Sequence, residues 1–525
     1  MKQQFYLIFL VAGLVSCSED TPLETLACDV TLADGSCAGV SRPEICSSSY
    51  CTGDSSCVEV WHVQEGATAS GDGSAAHPFS TIEEGVKRAT AGDCIALAAG
   101  SYTGTTLKAG VSLLGAGARH VTISSSDAGR PALALDGGAD ALLRGFTLSS
   151  AGVGLSVRGT QGTTIDQVRL EAAQGVGIEG RDAKQLVIQN TRIEKLGPAS
   201  TGGGDAGHDA GAGDAGAPAS TDHGIGVLLA RGTTATLTGC AVQDCATQGI
   251  LVDESDLILE KSAVSSSGLF GVVVQCATGC GGLTGSRITG TMITASQGIG
   301  LLVTGAKLEA TDNDIGDTRH AAGFARGVQI QGGAAVVLRG NRVHHGVGQG
   351  IVLDSVTGTL EQNTVEGNQE RGIWLQHISS PGLKLTQNTI TANERAGLGA
   401  TDSTAVTITG GRIEGTKKLD VMLQGKTGKV GDGIQVLGQS DVQISGVTLK
   451  DNERIGLIID NARASASNTT IDGGDVALVV QNASLAQQSF SGLSGAGGPV
   501  TPVNPATPYL LNPTAVVSAL PLPIP

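Results

Sequence analysis

Residues 349–403 read QGIVLDSVTGTLEQNTVEGNQERGIWLQHISSPGLKLTQNTITANERAGLGATDS. It is one phrase repeated. Gly350, Gly372 and Gly397 each open a short apolar run and lie 22 and 25 residues apart. After the first two runs a turn leads into an alternating strand, Thr359-Leu-Glu-Gln-Asn363 or Lys384-Leu-Thr-Gln-Asn388. Asn-Thr-Val or Asn-Thr-Ile follows, then a polar turn holding Asn368 or Asn393. A fixed period of this length marks units that bury their apolar faces only by stacking. Such a solenoid grows by adding coils instead of domains.

The same phrase extends in both directions. Upstream, apolar runs begin at Gly110, Pro131, Gly154, Gly177, Gly226, Gly249, Gly271, Gly300 and Gly327; downstream they begin at Gly433, Gly456 and Val476. Period-2 alternation within the strands sends one set of side chains inward and the other to solvent. The pattern predicts an all-β solenoid of stacked strands, roughly fourteen rungs over residues 59–490, about 70 Å long at ~4.8 Å per rung. A glycine before each strand is expected to turn a corner at positive φ. Asn190, Asn313, Asn341, Asn363 and Asn388 are expected to stack as a side-chain ladder. Two insertions break the period: a low-complexity loop at 198–222 and a basic loop at 415–432. From about 484 the chain becomes small-residue-rich and then Pro-rich, so 491–525 reads as an extended C-terminal tail after a cap.

Composition agrees. Among 525 residues, 79 are glycine and only 2 % are aromatic, which fits a turn-rich all-β chain. The net charge of −16 argues against nucleic acid or an anionic membrane surface as partner.

Residues 59–105 hold a strand, a polar loop and the run Pro78-Phe-Ser-Thr-Ile82, where Ser80 or Thr81 caps a short helix with Glu83 and Glu84 in its first turn. Ile82, Val86 and Ala89 share a face. Gly92-Asp93 and Gly100-Ser-Tyr102 follow. This stretch resembles the opening of right-handed parallel β-helix proteins of the pectin-lyase-like superfamily, and the resemblance implies that all-β fold for residues 59–490. The resemblance implies that the helix closes the open end of the coil.

The first residues read as a targeting segment: Lys2, an apolar run from Phe5 to Gly13, then Leu14-Val-Ser-Cys17. This resembles a bacterial lipobox. It implies a signal peptide at 1–16, lipidation of Cys17 and a membrane anchor. Ser18 in place of aspartate places the chain at the outer membrane or cell surface in preference to the inner membrane. Ten cysteines remain, an even number in an exported chain, so disulfides are expected among Cys28, Cys37, Cys46, Cys51, Cys57, Cys94, Cys240, Cys245, Cys276 and Cys280. Residues 17–58 form a cysteine-rich spacer. Zinc is the weaker reading, because no histidine stands at finger spacing.

Polysaccharide hydrolases of the same superfamily carry Asn-Thr-Asp, Asp-Asp, Gly-His-Gly and Arg-Ile-Lys motifs; none occurs here. A lyase needs only a base and a group that neutralises a uronate, often Ca²⁺ on carboxylates. Aligning rungs on their glycines places Asp354, His377 and Asp402 along one edge, beside Asp253, Asp460, Arg371, Arg395 and Arg454. The preferred reading of the same residues is that they are solvated turn positions that end strands. His344-His345 reads as a surface turn. Asp312, Asp314 and Asp317 look superficially like a calcium loop but lack its closing glutamate. Asp205, Asp209 and Asp214 lie in the linker-like insertion. No metal or cofactor is expected; Ca²⁺ on carboxylates is the alternative. The expectation is therefore a tethered, non-catalytic rod that binds a polysaccharide or another surface component, with a polysaccharide lyase as the alternative.

Overall fold

The computed structural model describes residues 57–511 apart from 69, 172, 198–223, 278–281, 321–323 and 424–425, together with the backbone of Cys28–Thr31 and Cys37–Val40. The signal segment, Cys17, Cys46, Cys51, Cys280 and the Asp205–Asp214 insertion lie outside the described residues.

Each coil contributes one strand to each of three parallel sheets. In the coil that opens the quoted stretch, Gln349–Asp354 lies in the third sheet, Thr357–Glu361 in the first and Thr364–Glu366 in the second. These strands pair in parallel with their counterparts on neighbouring coils: Ile351 with Ile373, Thr359 with Lys384, Val365 with Ile390. The third sheet runs from Thr105–Leu107 to Val476–Gln481 in fifteen such strands. One apolar core fills the coil from Val63 to Leu493. Ile351, Leu353, Val356, Leu360 and Val365 are its share from a single rung, all at most 1 % exposed.

The helix Ile82–Arg88 closes the start of this core. Thr81 and Glu84 form a reciprocal capping box, and Ile82, Val86 and Ala89 are buried. Behind it Tyr102 is buried; its hydroxyl donates to the Ala98 carbonyl at 2.7 Å, and burial pushes its pKa up to about 12.

The glycine column exists for a different reason from the expected one. Gly226, Gly249, Gly271, Gly300, Gly327, Gly350 and Gly372 are absent from the positive-φ residues. They are needed for space. A Cβ at Gly350 would lie 2.6 Å from the Gly372 oxygen and 2.6 Å from Val365 Cγ1; at Gly372 it would lie 2.7 Å from Ile390 Cγ2. The column makes room for the β-branched column of the second sheet. The left-handed corners are elsewhere, occupied by Gln362 (φ 54°), His377 (φ 54°) and Asp402 (φ 48°) among others. Gly110, at φ 72°, leads instead into Ser112–Gly115, a strand of the first sheet.

The asparagine ladder is present with one exception. Asn313, Asn341 and Asn363 each donate from Nδ2 to the next asparagine's Oδ1 at 2.8–3.0 Å, ending on Asn388. Asn190 is not a member. It sits one position early, at φ 49°, and donates to Asp166, while Thr191 takes the inward place. Asn368 and Asn393 begin a second ladder at the next corner.

The expected basic loop is a β-hairpin: Leu419–Leu423 runs antiparallel to the first half of Lys426–Leu437, whose second half joins the third sheet. Cys57 and Cys94 are disulfide-bonded, and so is Cys276. Cys240 and Cys245 are not, contrary to expectation. Cys240 immediately precedes the strand Ala241–Cys245 and Cys245 ends it, so the run of the strand holds the two Cα atoms outside the ~4.4–6.8 Å that a disulfide needs. Both thiols are buried, which pushes their pKa values up to about 12 and keeps them as inert core side chains.

Candidate functional site

The three residues singled out along the edge after the third sheet are placed as follows. Asp354 ends its strand in register with Gln376, and His377 occupies the corner one residue further on. His377 Nδ1 lies 2.9 Å from Asp354 Oδ1. Asp402 does not join them. Its Oδ1 accepts the Gln439 N–H of the following rung at 3.0 Å. A Cβ at Gly438 would fall 2.4 Å from that oxygen, so the carboxylate fills the space of the missing side chain. Asp253 and Asp460 likewise accept from Gln275 (3.0 Å) and Asn482 (2.7 Å) one rung on, and burial raises the Asp253 pKa. Acid-to-next-rung hydrogen bonds thus recur along this edge as corner ties.

The arginines before the glycines are buried. Arg371 lies over the Trp374 ring at 3.8 Å; burial, with Arg395 nearby, pushes its pKa down to about 9. Arg454 pairs with Asp432 inside the protein, Nε to Oδ1 at 2.7 Å. Trp374 is fully buried, yet it faces out of the coil, over Gly399 and beneath Leu511.

A groove that sequence reading missed lies on the outer face of the first sheet. It encloses about 680 Å³ and crosses seven successive strands, from Leu186–Gln189 to Thr357–Glu361. At ~4.8 Å per rung it extends about 29 Å along the rod. Its floor is Val187, Thr236, Ile258, Arg287, Glu309 and Val337. Ile258 is 37 % exposed, unusual for a large apolar residue here. Arg287 Nε and Glu309 Oε2 are 3.2 Å apart across two rungs. One wall is held by Asp256, which accepts from Thr284 N (2.9 Å), Thr284 Oγ1 (2.9 Å) and Gly285 N (3.0 Å). The charges are thus largely satisfied within the protein, and the surface offered is hydroxyls, short aliphatic patches and half-exposed ion pairs. No single strand carries a signal for it, because the groove arises only when seven strands are laid side by side.

The profile of the family described as "Right handed beta helix region" matches residues 224–413. No curated protein matches by sequence. Among solved structures the chain is similar to the periplasmic alginate epimerase AlgG, at 14 % identity over 69 % of this chain and 77 % of that one, TM-score 0.42. It is similar to tailspike protein 3 of bacteriophage CBA120, at 13 % identity over 84 % of this chain and 62 % of that one, TM-score 0.38. It is similar to an alginate lyase from Paenibacillus sp., at 13 % identity over 67 % of this chain and 93 % of that one, TM-score 0.30. These likenesses concern fold alone. The chain folds as a right-handed parallel β-helix, whose first sheet runs from Val60–Val63 to Ser489–Ser491.

Proposed function

We propose that this protein is a lipid-anchored rod of the bacterial cell envelope, at the outer membrane or cell surface, that binds a polysaccharide strand lengthwise without cleaving it. The observation that carries the reading is the groove on the first sheet, long in the direction of the rod and shallow across it. An extended polymer of repeating units fits that shape better than a compact ligand does. Thr234, Thr236 and Gln185 offer hydroxyl and amide partners, while Val187, Ile258 and Val337 meet apolar faces of a sugar ring. Arg287 and Glu309 neutralise one another, so an uncharged or sparsely charged glycan is favoured over a polyuronate. The anchor rests on Leu14-Val-Ser-Cys17.

The test is binding of full-length protein, held in detergent, to a panel of neutral and acidic polysaccharides. Ile258→Asp and Arg287→Ala are the variants, both at exposed positions. At least one glycan should bind, and each variant should weaken it by about tenfold or more, equivalent to ~1.4 kcal/mol. Binding to none, or binding indifferent to both changes, overturns the reading. Cys17→Ser should leave the membrane fraction; unchanged pelleting removes the anchor. A second reading, a lyase, is favoured by one contact, the His377–Asp354 hydrogen bond, which orients an imidazole as a base. Unsaturated product absorbance lost in His377→Ala would establish it.

A further inference from the structure

Two motifs that look unrelated in sequence meet on the outer face of the second sheet. Asp314–Gly316 and Arg342–His344 are adjacent strands, with Asp314 opposite Arg342 and Gly316 opposite His344. Asp317 and His345 follow them and occupy the same left-handed corner on successive rungs, at φ 54° and 52°. Glycines open space for both imidazoles. A Cβ on Gly316 would lie 2.4 Å from His344 Cε1, and one on Gly367 would lie 2.8 Å from His345 Cδ2. His344 therefore lies down against the sheet, its side chain only 9 % exposed.

The orientation of the rings is specific. His344 Nε2 is 2.5 Å from Asp314 Oδ1, which fixes the proton on Nε2 and leaves Nδ1 with a lone pair. That Nδ1 faces His345 Nδ1 at 2.9 Å. Two nitrogens each ~2.05 Å from one ion are about 2.9 Å apart at the right angle of a tetragonal Cu²⁺ or Ni²⁺ site and about 3.3 Å apart at the tetrahedral angle of Zn²⁺, which a small turn of the exposed His345 ring supplies. A carboxylate oxygen of Asp317 completes the group, with all ligand atoms within 4.8 Å of one another. Asp317 and His345 are exposed, so the remaining coordination positions face solvent.

We propose that Asp317, His344 and His345 bind one divalent transition ion of the zinc class, with Asp314 as the residue that positions His344. Two imidazole nitrogens and one carboxylate suit Zn²⁺, Ni²⁺ or Cu²⁺ and do not suit Ca²⁺ or Mg²⁺, which take oxygen ligands. The ion clamps consecutive rungs of the second sheet and keeps open positions for water or an oxygen ligand. This inference is independent of the groove, which lies on another sheet.

The test uses the full chain without a polyhistidine tag, stripped with chelator and titrated with Zn²⁺ by calorimetry, with Co²⁺ absorption as a second readout. One equivalent should bind. His345→Ala and Asp317→Ala, both at exposed positions, should each weaken binding about tenfold or more, and Asp314→Asn by ~10–100-fold, as outer-shell partners do. Circular dichroism confirms that each variant is folded, and His77→Ala is the control that should change nothing. The absence of saturable binding, or wild-type affinity retained in both ligand variants, overturns the proposal and leaves a proton shared between the two Nδ1 atoms as the account of their contact.

Discussion

The outer faces of the third and first sheets are made of the same coils and end up opposite in character. On the third sheet the outward column reads Leu228, Leu251, Val273, Leu302, Gln329, Val352, Trp374, and each is at most 1 % exposed. On the first sheet it reads Thr236, Ile258, Arg287, Glu309, Val337, Thr359, and the Arg287 and Glu309 side chains are about half exposed at 55 % and 47 %. The difference follows from strand pattern. A continuous apolar run has no wet face and needs cover on both sides, whereas alternation leaves one side for water. Part of that cover is the C-terminal segment. Tyr509 and Leu511 pack on Trp374, Ile458 and Val479, Gln481 exchanges two hydrogen bonds with Tyr509, and Arg454 donates to the Leu510 carbonyl. A covered face adds stability and is closed to ligands; the open face is where a ligand can dock.

The two faces should differ most in a matched pair of substitutions within one coil. Leu251 and Ile258 lie on consecutive strands, the first fully buried and the second 37 % exposed. Leu251→Asp loses its burial and places a carboxylate among apolar neighbours, so it should cost more than about 4 kcal/mol. Ile258→Asp should stay within about 1 kcal/mol. Denaturant midpoints of the two variants decide it; equal losses would mean that the two faces are not different in kind. Next in size is Trp374→Ala, which empties the space over Gly399 and takes away the ring on which Arg371 lies. About 3–5 kcal/mol should be lost, read from the same midpoints. Binding in the first-sheet groove should be unaffected.

The coil, its sheets and the capping helix were legible because they depend on local patterns: glycine period, alternation, and a capping sequence of Thr81 and Glu84. The cause of the glycines was not legible. Positive φ and lack of room leave the same letter in the sequence, and only the 2.6 Å approach to Val365 separates them. Asn190 and Asn313 also look alike, because a one-residue shift at a corner changes inward to outward. Asp402 and His377 do occupy matching corners of successive rungs, but register along an edge does not say that the Asp402 carboxylate turns to Gln439 N. The groove and the Asp317–His344–His345 group depend on which strands are neighbours across some 20 to 30 residues, so single motifs understate them. Trp374 reads as core, and it is buried, but on the outside of the coil.

Inside the coil both halves should respond to the ladder. Asn363 accepts from Asn341 N and Nδ2 and donates to Leu338 O and Asn388 Oδ1, all at 2.9–3.0 Å. Asn363→Ala removes all four bonds and strands buried backbone groups. A loss of about 2–3 kcal/mol is expected, below that of Trp374→Ala. Hydrogen exchange should show faster opening confined to neighbouring rungs, because stability in a solenoid is carried between nearest neighbours. A change spread evenly along the rod would contradict that locality.

The smallest expected effect probes the end of the covered face, where the apolar column gives way to charge. Glu179 stands in register between Ser156 and Leu228. Burial raises its carboxyl pKa, but hydrogen bonds from Arg158 (2.8 Å), Arg181 (2.6 Å) and Ser156 (3.0 Å) outweigh burial and leave it below the ordinary 4.5. With the folded value depressed, the stability this group contributes is fully present above the unfolded pKa and is lost as pH falls through the folded one. The wild type should therefore weaken on acidification below about pH 4.5, and Glu179→Gln should weaken less steeply over the same range. Glu309→Gln supplies the comparison on the open face, where the half-exposed pair with Arg287 is worth at most about 1 kcal/mol. Urea midpoints from pH 7 down to pH 3 read the slopes. A flatter acid limb in Glu179→Gln alone would show that burial makes the one pair matter. Equal slopes in the two variants would mean that the outer face of the third sheet is no drier at this end than the first.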